Sequence, residues 1–163
     1  MTDTPATPTQ YAQIDWDEQG RPHSRQYDDI YFSKEQSLEE TRHVFIEQNA
    51  LRERFAAMAD GSCLVIGETG FGTGANFLLC WQRFRAYRAE YPSAPCQRLY
   101  FSSFEKYPLS LADLRQALSC HTLLQEQCEQ LLRAYPPAVA GCHRLVFDDG
   151  QVILDLWQGD VNE

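Results

Sequence analysis

The feature that most constrains this sequence is a glycine-rich turn at residues 67–74, GETGFGTG, which joins a short apolar run to a long helical pattern. The run at 63–66 is continuous and bounded by glycines, which is typical of a strand buried on both faces of a parallel sheet. The stretch 75–91 repeats aromatic side chains at helical spacing, and so predicts a helix. Glycines permit positive φ and close approach of the backbone to a ligand, and the helix that follows offers unpaired N–H groups. The sequence therefore predicts a ligand-binding turn, with a plain tight turn as the alternative.

The rest of the chain continues the alternation of strand and helix. A second apolar strand at 99–104 ends at Glu105, and a helix begins at Ser110. Helical spacing returns over 122–135, and the segment 145–157 predicts a β-hairpin. This order is that of the βαβαβ half of a doubly wound, Rossmann-like α/β sheet.

The part ahead of the glycine turn has a different texture. Residues 10–33 predict a hairpin or irregular arm, and Ser37 followed by Glu40 forms a capping-box pattern for a helix over 37–48. A second helix is expected over 49–58. We therefore expect a disordered leader, an N-terminal arm with helices, and the domain that carries the turn, at residues 1–10, 11–60 and 61–163.

Composition excludes several classes of protein. The net charge of −9 has the wrong sign for a domain that grips nucleic acid through its phosphates. No apolar run approaches the roughly 20 residues that a membrane span needs, and the first residues lack a secretory signal, so a cytoplasmic protein is expected. The six cysteines include no Cys-x-x-Cys pair, so we expect free thiols and no metal site. The histidines His43, His121 and His143 show no partner pattern and are interpreted as structural.

The glycine turn also fits a dinucleotide-binding pattern. Gly70, Gly72 and Ala75 match Gly-x-Gly-x-x-Ala, and that pattern requires an acid about 20 residues on, at the end of a strand. The residue at that distance, Glu90, lies instead near the end of a predicted helix. An oxidoreductase that uses NAD is thus an alternative that the spacing does not favour.

Acidic residues around the turn favour S-adenosylmethionine instead. Glu68 lies two residues before the glycines, where a carboxylate would repel a pyrophosphate but suits a ligand with an ammonium and a sulfonium group. Glu105 ends a strand and could accept hydrogen bonds from both ribose hydroxyls. Asp160 follows the third strand and could accept from the adenine amino group. For Glu105 and Asp160 the alternative is an ordinary solvated carboxylate.

Several segments resemble the methyltransferase half of the bifunctional tRNA 5-methylaminomethyl-2-thiouridine biosynthesis proteins. They are residues 28–33, 38–45, 68–77, 104–109, 141–144 and 154–163. The likeness extends from about Tyr11 to the last residue. It implies a Rossmann-like class I methyltransferase fold and transfer of a methyl group from S-adenosylmethionine to the 5-aminomethyl group of the tRNA wobble uridine. The tRNA is then a partner that binds mainly outside this segment.

The resemblance also implies site residues. The set expected to bind the cofactor is Glu68, Gly70, Phe71, Gly72, Thr73, Gly74, Asn76, Glu105, Lys106, Gly159 and Asp160. The residues expected to shape the methyl-transfer pocket are Tyr31, Phe32, Glu39 and Arg42. For Tyr31 and Phe32 the alternative, a place in the core, is the more common role of such residues.

In that family the remaining strands of the sheet follow this segment, and an FAD-dependent oxidoreductase domain comes after them. The resemblance therefore implies a fold cut off after its third sheet strand, with the catalytic acid downstream of Glu163, and a segment that is inactive alone. A nucleotide-binding fragment without catalysis is the non-enzymatic alternative.

Overall fold

The structure is a computed structural model that describes residues 9–18, 20, 22–26, 29–30 and 41–161. The predicted leader lies outside these residues except for its last two. The capping box at Ser37 and Glu40 and the start of its helix lie outside them too.

A small antiparallel sheet forms the N-terminal arm. Its strands are β1 (Ile14–Trp16), β2 (Pro22–Ser24) and β3 (Asp29–Ile30), in that spatial order. Hydrogen bonds join the arm to the rest of the chain: among them, the Ala12 N–H donates to the Pro108 carbonyl at 2.9 Å, and the Trp16 indole donates to Asp113 at 3.1 Å. The predicted arm is confirmed over these residues, and it lies against the loop that follows Glu105.

The main sheet has four strands in the order β4-β5-β7-β6. They are β4 (Ser62–Thr69), β5 (Cys96–Glu105), β6 (Gly141–Phe147) and β7 (Val152–Gln158). β4, β5 and β7 run parallel, and β6 pairs antiparallel with β7. The predicted hairpin is thus confirmed, and its second strand supplies the third parallel strand of the sheet.

Within the described residues, four α-helices connect these strands or precede them. They are α1 (Leu51–Ala57), α2 (Ala75–Glu90), α3 (Leu111–Leu118) and α4 (Gln125–Ala134). The predicted cap of α3 is present, because Ser110 accepts a hydrogen bond from the Asp113 amide at 3.1 Å. The predicted helix over 37–48 is only partly confirmed: its described portion is a π-helical turn, Arg42–Glu47, in which the Gln48 N–H reaches the His43 carbonyl five residues back at 3.0 Å.

The core lies on one face of the main sheet. Phe77 of α2 packs against Phe101 of β5, with ring centroids 5.5 Å apart, and Trp81 packs against Phe147 at 4.5 Å. On the opposite face Val65 is 65% exposed, and Val146 and Trp157 are also exposed. The expectation that 63–66 is buried on both faces is therefore wrong for the described residues, because the side chains of a strand alternate and the described helices pack on one face only.

The remaining predictions from composition concern the cysteines, membrane spans and metal sites. All six cysteines are free thiols. Within the part of the chain that the structure describes, no helix has the length and apolar character needed to cross a bilayer. Among those same residues, no group of histidine, cysteine and acidic side chains is arranged to hold a metal ion.

Candidate functional site at the carboxyl ends of the parallel strands

Three loops meet where the parallel strands end. The Gly70 N–H, after β4, donates to the Phe104 carbonyl at 2.7 Å, and the Gly159 N–H, after β7, donates to the Glu105 carbonyl at 3.0 Å. Both outer loops are thus fastened to the end of the middle strand. The sequence prediction that these three strand ends share one edge is confirmed by the register.

The glycine turn has left-handed backbone at each predicted glycine. The φ angles are 82° at Gly70, 54° at Gly72 and 76° at Gly74. A Cβ added at Gly70 would meet no atom within 4 Å, whereas one added at Gly74 would lie 2.7 Å from the Phe71 ring. Gly70 therefore faces open space that a ligand can enter, while Gly74 is required by the packing inside the turn.

Phe71 and Thr73, both expected at the cofactor, are buried within the turn. Phe71 is only 4% exposed and belongs to the hydrophobic core, and Thr73 is also buried. Their side chains thus support the turn from inside. A role of their backbone amides toward a ligand stays a prediction.

Glu105 is the residue that pins the turn. One carboxylate oxygen accepts from the Gly72 N–H and the other from the Tyr107 N–H, both at 2.9 Å. Its side chain is buried, and burial raises the pKa of this carboxyl, although the backbone hydrogen bonds oppose the rise. The backbone amides of Phe71 and Lys106 also lower the pKa of this carboxyl, so Glu105 lies within a cluster of backbone N–H donors.

Glu68 lies one layer below, on the core side of the sheet. Asn76, in the first turn of α2, donates to one of its oxygens at 2.9 Å, and the Ser103 hydroxyl donates to the other at 2.7 Å. Burial raises the pKa of Glu68 to about 7, and the negative charge of Glu105 contributes to that rise. The sequence analysis did not single out Ser103. A small polar residue inside the apolar strand β5, directly opposite Glu68 in the register, was the available signal.

Asp160 and Lys106 form an ion pair across the ends of β7 and β5. The Lys106 ammonium lies 2.6 Å from the Asp160 carboxylate, and both side chains remain partly exposed. Both residues were expected at the cofactor, but their pairing was not foreseen. The pair closes one end of the edge that the glycine turn and Glu105 define.

The expected methyl-transfer pocket is described only at Arg42. Tyr31, Phe32 and Glu39 lie outside the described residues. Arg42 is on the π-helical turn, half exposed, with its guanidinium 3.5 Å from the Glu47 carboxylate. Its contribution to a pocket stays a prediction.

The electrostatics of this edge restrict what can bind. Two carboxyls lie beside the glycine turn: Glu105 is buried, and Glu68 is partly buried. A ligand with positive charge and hydroxyl donors matches this environment, and a pyrophosphate does not. The residues present therefore fit an adenosyl ligand with a cationic tail.

Comparison with known proteins identifies close relatives. No family model matches the chain. The tRNA 5-methylaminomethyl-2-thiouridine biosynthesis bifunctional protein MnmC of Pseudomonas fluorescens is 54% identical over 154 residues, 94% of this chain and 22% of that protein. MnmC of Vibrio campbellii is 53% identical over 93% of the chain and 22% of its own length. MnmC of Stutzerimonas stutzeri is 52% identical over 100% of the chain and 24% of its own length.

The chain therefore spans about a quarter of the length of these relatives or slightly less. A solved structure also matches it: the crystal structure of MNMC2 from Aquifex aeolicus superimposes with a TM-score of 0.57 at 19% sequence identity. The match covers 93% of this chain and 43% of that one. At this identity the likeness supports the α/β fold, with its mixed sheet and helices.

Proposed function

This chain belongs to the MnmC family as the counterpart of one domain of the bifunctional proteins, and from that premise we propose that it forms the donor side of a tRNA methyltransferase site. The reaction moves a methyl group from S-adenosylmethionine to the 5-aminomethyl group of 5-aminomethyl-2-thiouridine at the tRNA wobble position. Its product is 5-methylaminomethyl-2-thiouridine, the nucleoside in the relatives' name.

The observation that carries the proposal is the hydrogen bonding of the glycine turn to Glu105. The carboxylate fixes the Gly72 amide, and Gly70 leaves open space beside it. In our assignment the ribose hydroxyls donate to Glu105, and the backbone at Gly70 approaches the ligand. Asp160 accepts from the adenine amino group, beside Lys106.

The bound donor supplies an electrophilic methyl group on a positively charged sulfur. The contribution of this chain is to hold that group in place, since a correctly oriented pair of reactants removes much of the entropic barrier to reaction. The buried carboxylate of Glu105, which accepts hydrogen bonds from the Gly72 and Tyr107 amides, adds negative potential on the side of the site that this chain forms.

The acceptor side belongs, in this proposal, to other parts of such proteins. The chain spans about a quarter of its relatives' length or slightly less, and its net charge of −9 disfavours it as the main tRNA contact. We place the acid that receives the amine proton downstream of Glu163, and the FAD-dependent step that exposes the amine in a separate domain. Residues 61–163 form the unit that binds the donor.

Titration calorimetry with the intact protein tests the proposal. S-adenosylmethionine and its demethylated form, S-adenosylhomocysteine, should bind at one site, and NAD should not compete. NAD binding in place of both would support the oxidoreductase alternative, which rests on the Gly-x-Gly-x-x-Ala spelling at Gly70, Gly72 and Ala75. Binding without methylation of a tRNA that carries the aminomethyl group would support a binding module.

A further inference from the structure

The carboxyl of Glu68 joins three elements that surround the glycine turn. It lies near the end of β4, two residues before Gly70, and takes hydrogen bonds from Asn76 of α2 and Ser103 of β5. These donors approach different oxygens, so each contact holds a different element. The strand before the turn, the helix after it and the neighbouring strand therefore meet at one side chain.

This carboxyl is poorly suited to act through a full negative charge. Burial is the main reason that its pKa rises to about 7, and the charge of Glu105 acts in the same direction. Burial raises the pKa of the Cys80 thiol of α2, and the charge of Glu68 contributes to that rise. Near neutral pH a large fraction of Glu68 is thus protonated, and its two hydrogen bonds, to Asn76 and Ser103, are the contacts that the geometry shows.

We infer that Glu68 is a positioning residue that sets the glycine turn by holding Asn76 and Ser103, instead of binding the donor through its charge. This inference rests on the proposed function, because donor binding is its readout. It replaces the sequence-based expectation that Glu68 contacts the methionine end of the ligand. What the site requires at position 68 is a side chain that satisfies both partners.

Exchanging donor and acceptor between residues 68 and 76 tests the inference. In Glu68→Gln the amide oxygen accepts from Asn76, and the amide nitrogen donates to the Ser103 hydroxyl, which can accept. Asn76→Asp alone places two carboxyls side by side, which repel each other when both are charged and otherwise must share one proton. In the double variant Glu68→Gln/Asn76→Asp the hydrogen bond is restored with reversed direction, and an aspartate in the first turn of a helix is favourable there.

The expected affinities follow from hydrogen bonds kept or lost. Glu68→Ala and Asn76→Asp should raise the Kd for S-adenosylhomocysteine by about 10-fold or more, because each change leaves a partly buried polar group without its partner. Glu68→Gln and the double variant should stay within about 3-fold of the wild type. Glu129→Ala, which removes an exposed carboxylate from α4, is the matched control and should change nothing. All Kd values are measured by calorimetry on the intact protein, with melting temperatures recorded alongside.

Each remaining outcome overturns the inference. A loss in Glu68→Gln as large as in Glu68→Ala would mean that Glu68 acts by charge. A lower melting temperature with unchanged Kd in Glu68→Ala would mean that its role is only structural. If Glu68→Ala does not fold, the comparison of Asn76→Asp with the double variant decides alone, and no recovery in the double variant refutes positioning. A wild type that binds neither adenosyl ligand refutes the proposed function and this inference with it, whereas wild-type binding with any other variant pattern refutes the inference alone.

Discussion

Replacing Glu105 by glutamine should weaken donor binding through the glycine turn. In the wild type both carboxylate oxygens accept backbone N–H groups, one from Gly72 and one from Tyr107. A glutamine of the same shape has only one oxygen. Its amide nitrogen would then face a backbone N–H, and two donors cannot satisfy each other.

The size of the effect follows from these two contacts. A hydrogen bond to a charged group contributes about 1.5–3 kcal/mol, and leaving a buried donor unsatisfied costs about 1–3 kcal/mol. The glutamine keeps one contact in weaker, neutral form and loses the other, so a change of about 2 kcal/mol is expected. If most of this free energy is needed to keep the turn in its binding conformation, the Kd for S-adenosylhomocysteine rises about 30-fold.

Calorimetry on the wild type, Glu105→Gln and Glu129→Gln provides the comparison. The last variant removes an exposed carboxylate on α4 and reports any effect of net charge alone. A Kd for Glu105→Gln within twofold of the wild type, with the protein folded, would show that neither the pinned turn nor the ribose contact matters for binding.

Three further predictions address the same edge. Gly74→Ala should lower the free energy of unfolding in urea by about 2–4 kcal/mol, because its Cβ would lie 2.7 Å from the Phe71 ring at a φ of 76°. Gly70→Ala, strained but facing open space, should cost less, and equal losses would contradict the packing argument. Asp160→Ala should change the free energy of unfolding by less than about 1 kcal/mol, because Asp160 belongs to a partly exposed ion pair. It should nevertheless weaken S-adenosylhomocysteine binding about tenfold in calorimetry. A large loss of stability with intact binding would contradict the assignment of Asp160 to the adenine. The pKa of Glu68 rises from 4.5 to about 7 on folding, so its stabilising contribution is full below pH 4.5 and is lost as the pH rises through 7. The unfolding free energy of the wild type relative to Glu68→Gln should therefore fall by about 3 kcal/mol from pH 4 to 8. A difference that stays constant with pH would refute the raised pKa.

The elements of the candidate site were the most predictable from sequence. The strand, glycine turn and helix that become β4, the turn and α2 follow from an apolar run, a glycine cluster and aromatic spacing, all local signals. Glu105 was identified as a strand-end acid for the same reason, because apolar and polar residues change abruptly there.

What sequence could not supply depends on contacts between distant segments. The exposure of Val65 is decided by which face the helices cover, and an apolar run looks the same in either case. The pairing of Lys106 with Asp160 joins residues more than fifty positions apart. The burial of Phe71 under Gly74 depends on the shape of the turn itself.

A crystal structure of the intact protein with S-adenosylhomocysteine tests the central claim most directly. We predict that the ribose hydroxyls lie within hydrogen-bonding distance of Glu105, that the backbone of Gly70 lies against the ligand, and that the adenine amino group lies beside Asp160. A ligand bound away from the ends of β4, β5 and β7, or one that reaches the glycine turn through a phosphate group, would contradict it.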